Sequence, residues 1–185
     1  MQEQKIYTAE EIIKIGTEIG IQTAIDYIRK EKEDRRKGRF DRRLRNTKIL
    51  LREYKKLVIH SNDAVFKNKN TPSAVEILDD IDSHEYTDEL YIESIKASTE
   101  RTRVIVEHIK KMMKIFKYLC YKTKKPETQR RYDIVYDMYI SGKDATAEEL
   151  SAKYSLQVST IYRDMNIAIE GLTSLVFGID GLKIF

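Results

Sequence analysis

Residues 130–172 decide the fold, and they read RRYDIVYDMYI, SGKDA, TAEELSAKY, SLQ and VSTIYRDMNIAIEGL in order. This pattern predicts a helix, a polar break, a short helix, a three-residue turn and a longer helix. Thr146 and Glu149 have the T-x-x-E spacing of a capping box, which starts the short helix. The last helix has apolar residues at helical spacing on one face: Ile161, Met165, Ala168 and Leu172. The segment is therefore predicted to be a helix-turn-helix.

The remainder of the chain is also predicted to be helical. Its 185 residues include 7 Gly and 2 Pro, few for a β protein with many turns, and 35% are charged. Such a charge load fits amphipathic helices with broad solvated faces. We expect an all-α fold with a helical N-terminal region at residues 1–60 and an acidic loop or linker at 61–97. A long helix and the helix-turn-helix domain then follow at 98–185.

The N-terminal region offers two features that leave alternatives open. Thr8 caps a helix, but Gly16 and Gly20 weaken its continuation and favour a helical hairpin or an assembly surface. A second helix-turn-helix, with GIQTAIDYIRK as its second helix, is the alternative for this segment. Further along, an apolar stripe repeats every seven residues, and it predicts either packing within one domain or a coiled-coil seam. The stripe consists of Leu44, Leu51 and Val58, with Tyr54 between the last two.

The middle of the chain is predicted to contain a loop, an acidic segment and one long helix. Residues 60–75 are rich in Asn, Lys and small polar residues, which indicates a loop or joint. The acidic residues 76–94 are expected to form a short helix and a loop. Ser98 or Thr99 starts the long helix, which ends near Lys122, and Pro126 suits the first turn of the next helix.

Charge is segregated along the chain. Residues 29–56 carry 14 Lys and Arg against 5 acids, and residues 74–95 carry 8 acids and no Lys or Arg. Residues 96–131 carry 12 basic residues against 3 acids. The two basic blocks have the composition that follows DNA phosphates. The alternatives are solvated helix faces, or pairing with the acidic segment inside the fold.

The exposed face of the last helix carries side chains suited to reading bases. Arg163 suits guanine, Asn166 suits adenine, and Val158 suits a thymine methyl group. The predicted DNA-binding residues are Val158, Ser159, Thr160, Tyr162, Arg163 and Asn166, supported by Arg130, Arg131, Lys124 and Lys125. Such a helix enters the major groove with its first turns.

Residues 146–172 resemble the second half of region 4 of the sigma-70 family, in which an S-T-[IV] tripeptide opens the recognition helix. Here Ser159-Thr160-Ile161 is that tripeptide, and Ala168 and Leu172 match the late Ala and Leu. With RRYDIVYDMYI before the motif and SLVFGIDGL after it, residues 98–182 are similar to phage and prophage late-gene transcriptional activators of the RinA and ArpU type. The segments LREYKKL at 51–57 and 98–109 are compatible with that family. The resemblance implies binding to promoter double-stranded DNA and contact with bacterial RNA polymerase. No segment resembles sigma region 2, which favours an activator over a complete sigma factor.

Other chemistries lack support in the sequence, so we expect neither an enzyme nor a cofactor or metal site. The histidines at 60, 84 and 108 are far apart and lack cysteines at zinc-ligand spacing. The aspartates of residues 79–82 lack the Gly and distal Glu of a calcium loop, and no phosphate-binding Gly-rich loop occurs. Cys120 is the only cysteine. Without an apolar run long enough to span a bilayer or a signal peptide at its start, the chain is expected to be cytoplasmic and nucleoid-associated, with no membrane partner.

Two further functions remain as alternatives. The first is a non-enzymatic module that binds RNA polymerase or another regulator, suggested by the acidic C-terminal third and the apolar tail at 176–179. The second is a small phage assembly protein with a helix-turn-helix, as small terminase subunits have. A homo-oligomer is a further alternative, with the stripe of residues 41–59 and the apolar tail as its contacts.

Overall fold

The structure is a computed structural model that describes residues 8–62, 72–82, 84 and 86–178. These residues form α-helices and one π-helical turn, without a strand, which confirms the predicted all-α fold for them. The helices are α1 (Ala9–Arg52), α2 (Tyr54–Asn62), α3 (Ala74–Asp82), α4 (Asp88–Lys96), α5 (Thr99–Lys122), α6 (Pro126–Val135), α7 (Ala147–Tyr154) and α8 (Val158–Phe177). The π-helical turn, Tyr136–Ile140, directly follows α6. Within the described ranges, no helix has the length and apolar character that crossing a membrane requires.

The described chain separates into two compact units, one up to Arg39 and one from Phe40 onward. In the first unit α1 runs through Gly16 and Gly20 without a break. The hairpin expected there, and with it the second helix-turn-helix, is therefore wrong. A glycine costs a helix about 1 kcal/mol but does not forbid it. The described residues up to Lys37 are exposed, including eight large apolar side chains between Ile12 and Ile28.

The core of the second unit is built from α1–α5, α6 and the C-terminal half of α8. The end of α1 contributes Ile49, Leu50 and Leu51, each at most 2% exposed. Leu51 and Tyr54 are buried in this core, while Leu44 and Val58 pack against it. The seven-residue stripe therefore serves packing within one domain. The apolar tail does the same, because Val176 and Phe177 are also buried; Ile179 lies outside the described residues.

The acidic segment corrects the expectation of a loop or linker at 61–97. Two helices occupy it, α3 and α4, and each buries one apolar face in the core. The buried apolar residues are Ala74, Ile77, Leu78 and Ile81 in α3, and Tyr91, Ile92 and Ile95 in α4. The preceding loop was predicted at 60–75, but α2 continues to Asn62 and α3 begins at Ala74. Residues 63–71 of that loop lie outside the described residues.

The predictions for α5 and α6 are confirmed at their ends. The Ser98 side chain caps α5 by accepting a hydrogen bond from the Arg101 N–H at 3.0 Å, and α5 ends at Lys122. Pro126 is the first residue of α6. The predicted helix 126–140 has the expected extent, but its last five residues are π-helical, with a 2.8 Å bond from the Ser141 N–H to the Tyr136 carbonyl.

Candidate nucleic-acid interface

Hydrogen bonds fix both ends of α7, and those at its C-terminal end form the turn to α8. At the start of α7 the predicted capping box is present: the Thr146 N–H donates to the Glu149 carboxylate at 2.9 Å, and the Glu149 N–H donates to the Thr146 hydroxyl at 3.2 Å. At its end, Ser155 adopts the left-handed conformation with φ 53° and ψ 45°. The Leu156 N–H then donates to the Ser151 carbonyl at 3.0 Å, as in a Schellman termination. The Ser151 hydroxyl donates to the Leu156 carbonyl, which gives this serine a role in closing the turn.

The C-terminal half of α8 anchors the helix in the core. The His108 Nε2 of α5 lies 2.9 Å from the Val176 carbonyl, and the Thr173 hydroxyl donates to Thr47 Oγ1 of α1 at 3.0 Å. Ile169 and Leu172 are buried beside them. Because the C-terminal half contacts α5 and α1 and is buried in the core, it fixes the position of the N-terminal half of α8.

The N-terminal half of α8 presents a polar face to solvent. Its four exposed polar residues are those predicted from sequence, Ser159, Tyr162, Arg163 and Asn166. Ile161 and Asp164 lie buried on the opposite side. Val158 and Thr160 are half-buried, and Val158 packs on a small cluster around Leu150 and Ile161 rather than standing free for a base.

Arg130 and Arg131 have a different arrangement from the one expected of phosphate contacts. The Arg130 Nε and Nη2 both donate to Asp164 Oδ2, at 2.9 and 2.6 Å, and the Arg131 Nε donates to Oδ1 at 3.2 Å. The Asp164 side chain is only 1% exposed. Both guanidinium groups therefore neutralise a buried carboxylate and fasten α6 to α8.

Asp164 is the residue of this site that sequence reasoning missed. It follows the buried Ile161 by three residues and precedes the buried Ala168 by four, so it lies on the buried stripe of α8. A carboxylate on an apolar stripe needs a cation within the fold. The adjacent arginines in the middle of α6, Arg130 and Arg131, were the available signal.

Lys124 and Lys125 lie in the connection between α5 and α6, and both are exposed. Lys124 adopts a positive φ of 57°, and Lys125 is the residue before Pro126 at the start of α6. Among the described residues, neither lysine makes an ion pair. These two predicted residues thus keep their charge available at the surface.

A second buried carboxylate holds the π-helical turn against α7. Asp137 accepts hydrogen bonds from Lys143 Nζ at 3.2 Å and Lys153 Nζ at 2.8 Å. Burial acts to raise the pKa of Asp137, but the bonds from Lys153 and Lys143 outweigh it and lower that pKa overall. The bond to Asp137 is the main cause that raises the pKa of Lys153. Lys143 and Lys153 are thereby committed to pairing within the fold.

Two histidines outside these clusters make hydrogen bonds within the fold, and Cys120 is buried. His60 Nδ1 lies 3.0 Å from Thr102 Oγ1, and His84 Nδ1 lies 3.0 Å from the Asp80 carbonyl. Burial raises the pKa of the Cys120 thiol to about 11, so it is protonated at neutral pH. Within the described ranges, no three His, Cys, Asp or Glu side chains are grouped so as to hold a metal ion.

The arrangement can therefore offer hydrogen bonds and charge to a partner from one rigid helix face. Arg163 provides a planar guanidinium with five donors, and Asn166 provides a donor and an acceptor. The start of α8 has no acidic residue in its first turn and no side-chain cap, so its N–H groups suit a negative charge. Comparison with protein families, with curated proteins and with solved structures finds no match to this chain.

Proposed function

We propose that this protein is a DNA-binding transcriptional regulator of the phage activator type, with a sigma-like helix-turn-helix in its C-terminal domain. In this proposal α8 reads the major groove of promoter DNA through Ser159, Tyr162, Arg163 and Asn166. The observation that supports it best is that those four exposed side chains share one face of α8, while the C-terminal half of the same helix is buried in the core. A recognition helix must be held firmly by the rest of the fold, because its side chains must meet the edges of the nucleobases in a defined register.

The charge distribution refines which residues make each kind of contact. Arg163 and Asn166 have the side chains for direct base contacts, whereas Lys124 and Lys125 suit phosphates. Arg130 and Arg131 act in this proposal through Asp164: they position α8 rather than touch DNA. Val158 supports the start of α8 by packing on the small cluster around Leu150.

The family resemblance suggests that the bound protein contacts bacterial RNA polymerase and acts in the cytoplasm. The exposed isoleucines between Ile12 and Ile28 favour a second candidate function, a protein-interaction module, because monomeric proteins rarely expose so many apolar side chains together. In that case the partner protein, and not DNA, is the primary ligand.

The proposal is tested by selection from genomic DNA. Purified protein is mixed with sheared DNA of its own host at two salt concentrations, and the retained fragments are sequenced. We expect one enriched promoter-like site, whose retention falls as salt rises because counterions are released on binding. Absence of enrichment at both salts, together with retention of RNA polymerase by the immobilised protein, would instead support the protein-interaction module.

A further inference from the structure

The exposed side of α5 carries a continuous row of cationic and aromatic side chains. We define the α5 lysine face as Lys110, Lys111, Lys114, Lys117 and Lys122 together with Tyr118 and Tyr121, all of which are exposed. Their spacings of three and four residues put neighbours about 5–6 Å apart on the helix surface. Glu107 is the only acidic residue of α5 beyond its first turn. The face is therefore strongly positive along the C-terminal half of the helix.

The lysines of this face have no carboxylate partners among the described residues. None of the five makes an ion pair there. Several other basic side chains of the same unit are paired, as Arg43 is with Asp79 at 2.8 Å and Arg101 with Asp80 at 3.3 Å. Lysines kept side by side repel one another within the helix. An external polyanion would relieve that repulsion.

The two tyrosines add flat apolar surface between the charges. Tyr118 is 62% exposed, and Lys122 Nζ lies 5.7 Å from its ring centre. Tyr121 donates its hydroxyl to Asp133 at 2.9 Å, and Lys117 Nζ lies 5.7 Å from its ring. Aromatic rings beside cations are the arrangement on which nucleic-acid bases stack while the backbone phosphates are neutralised.

We propose that the α5 lysine face is a second nucleic-acid-binding surface, which holds the phosphodiester backbone without regard to base sequence. Lysine is depleted at protein–protein interfaces, which argues against an acidic protein as the partner. A membrane surface requires a broad apolar face, whereas Ile115 is the only exposed large aliphatic side chain in α5. This inference goes beyond the proposed role of α8 and does not depend on it.

The test measures binding of the full chain to a labelled duplex of random sequence and to a labelled oligo(dT) strand, over a series of salt concentrations. The variant is K110Q/K114Q/K117Q, since glutamine retains helix propensity and removes charge. Each lost phosphate contact should flatten the dependence of log affinity on log salt by about 0.9 on the duplex or about 0.7 on the single strand. The matched control, K30Q/K32Q/K48Q, removes three exposed lysines of α1 that make no ion pair among the described residues.

The proposal is supported if the salt dependence of binding becomes flatter in K110Q/K114Q/K117Q but not in the control, and if thermal unfolding of the variant is unchanged. No flattening, or an equal flattening in the control, would overturn it, because net charge and not this face would then explain binding. Equal affinity for polyglutamate would also overturn it by identifying a general polyanion surface. Tyr118→Ala separates the two nucleic-acid forms: a loss of about fivefold or more on oligo(dT) alone indicates stacking on a single strand. If Tyr118→Ala keeps its affinity for oligo(dT), and the lysine variant shows a flatter salt dependence on the duplex, the face binds the backbone of duplex DNA.

The tests of the α5 lysine face and of α8 can fail independently of each other. Arg163→Ala should change the preference among duplex sequences and leave binding to oligo(dT) unaltered. If the selected genomic site fails to appear but K110Q/K114Q/K117Q still flattens the salt dependence, the α5 proposal stands and the α8 proposal falls.

Discussion

Residues 40–56 and residues 110–125 are both rich in basic side chains, yet these side chains differ in their partners. In the first region, Arg52 Nη2 lies 3.2 Å from Asp88 of α4, and Lys55 pairs with Asp144 before α7. In the second region, none of the lysines makes an ion pair with the described residues. The first region has carboxylates in contact because α3 and α4, the acidic helices, pack beside it. The lesson is that a basic block identifies a binding surface only when the fold leaves its charges unpaired.

The largest effect should come from breaking a buried pair of the first region. Asp82 accepts a hydrogen bond from Asn46 Nδ2 at 2.9 Å and lies 3.8 Å from Arg43 Nε. Asp82→Ala removes one of the two carboxylates beside the Arg43 side chain, which is 6% exposed, and takes this acceptor away from the buried Asn46 amide. We expect the free energy of unfolding to fall by about 3–5 kcal/mol in urea denaturation. Asp80→Ala, an exposed neighbour in α3, is the control and should cost less than about 1 kcal/mol; equal losses would refute the distinction.

A smaller loss in the free energy of unfolding should follow when the carboxylate that pairs with Arg130 and Arg131 of α6 is removed. Asp164→Asn preserves the shape of the side chain but removes the charge that Arg130 and Arg131 share. Both arginines retain some solvent contact, so the cost should lie near the lower limit for a buried pair, about 3 kcal/mol. Thermal unfolding measures it, with Asp144→Asn as the matched change in an exposed pair. An unaltered midpoint for Asp164→Asn would contradict the role given to these arginines.

Much of the local structure was predictable from sequence, because its determinants are local. The Ser98 cap, the Thr146–Glu149 box and the apolar spacing of α8 involve residues within one or two turns of each other. The pairing of Asp164 with Arg130 spans 34 residues, and no local pattern specifies it. Sequence alone therefore placed the helices of the candidate interface but not the bonds of Arg130 and Arg131 to Asp164.

The acidic segment shows the opposite failure. Its apolar residues Ile77, Leu78 and Ile81 have helical spacing, as do Tyr91, Ile92 and Ile95. The high density of carboxylates suggested solvation, whereas the cations of α1 neutralise several of them within the fold. Composition was misleading here because the counter-charges lie more than 30 residues away in sequence.

The pH dependence of stability should report the Asp137 cluster. Since the folded state lowers the pKa of Asp137, its contribution is complete above the unfolded value of about 3.9 and is lost as pH falls through the folded pKa. Asp137→Asn should therefore be less stable than the parent at pH 7, by about 1 kcal/mol because both lysines are largely exposed. The difference should shrink below about pH 4. Urea denaturation across pH 2.5–7 measures it, and a difference that persists at acidic pH would argue against this cluster.

The smallest effect has the opposite sign. Lys114 lies within one turn of Lys110, Lys111 and Lys117, so Lys114→Gln should relieve repulsion and stabilise the protein by about 0.2–0.5 kcal/mol. The gain should vanish in high salt, where exposed charges are screened. Lys143→Gln, which removes a paired lysine, should instead destabilise slightly. Thermal unfolding at low and high salt compares the two, and a destabilised Lys114→Gln would mean that Lys114 has a partner in the fold.

The central claim, that the exposed face of α8 reads DNA, is tested most directly by Arg163→Ala. The measurement is the affinity of parent and variant for the selected genomic fragment and for a set of single-base changes in it. We predict a loss of about 1–3 kcal/mol, or about 5- to 150-fold, with relaxed preference at one base pair. Lys48→Ala, which removes an exposed, unpaired cation from α1, should leave that preference intact. Unchanged affinity and unchanged base preference in Arg163→Ala would contradict the account.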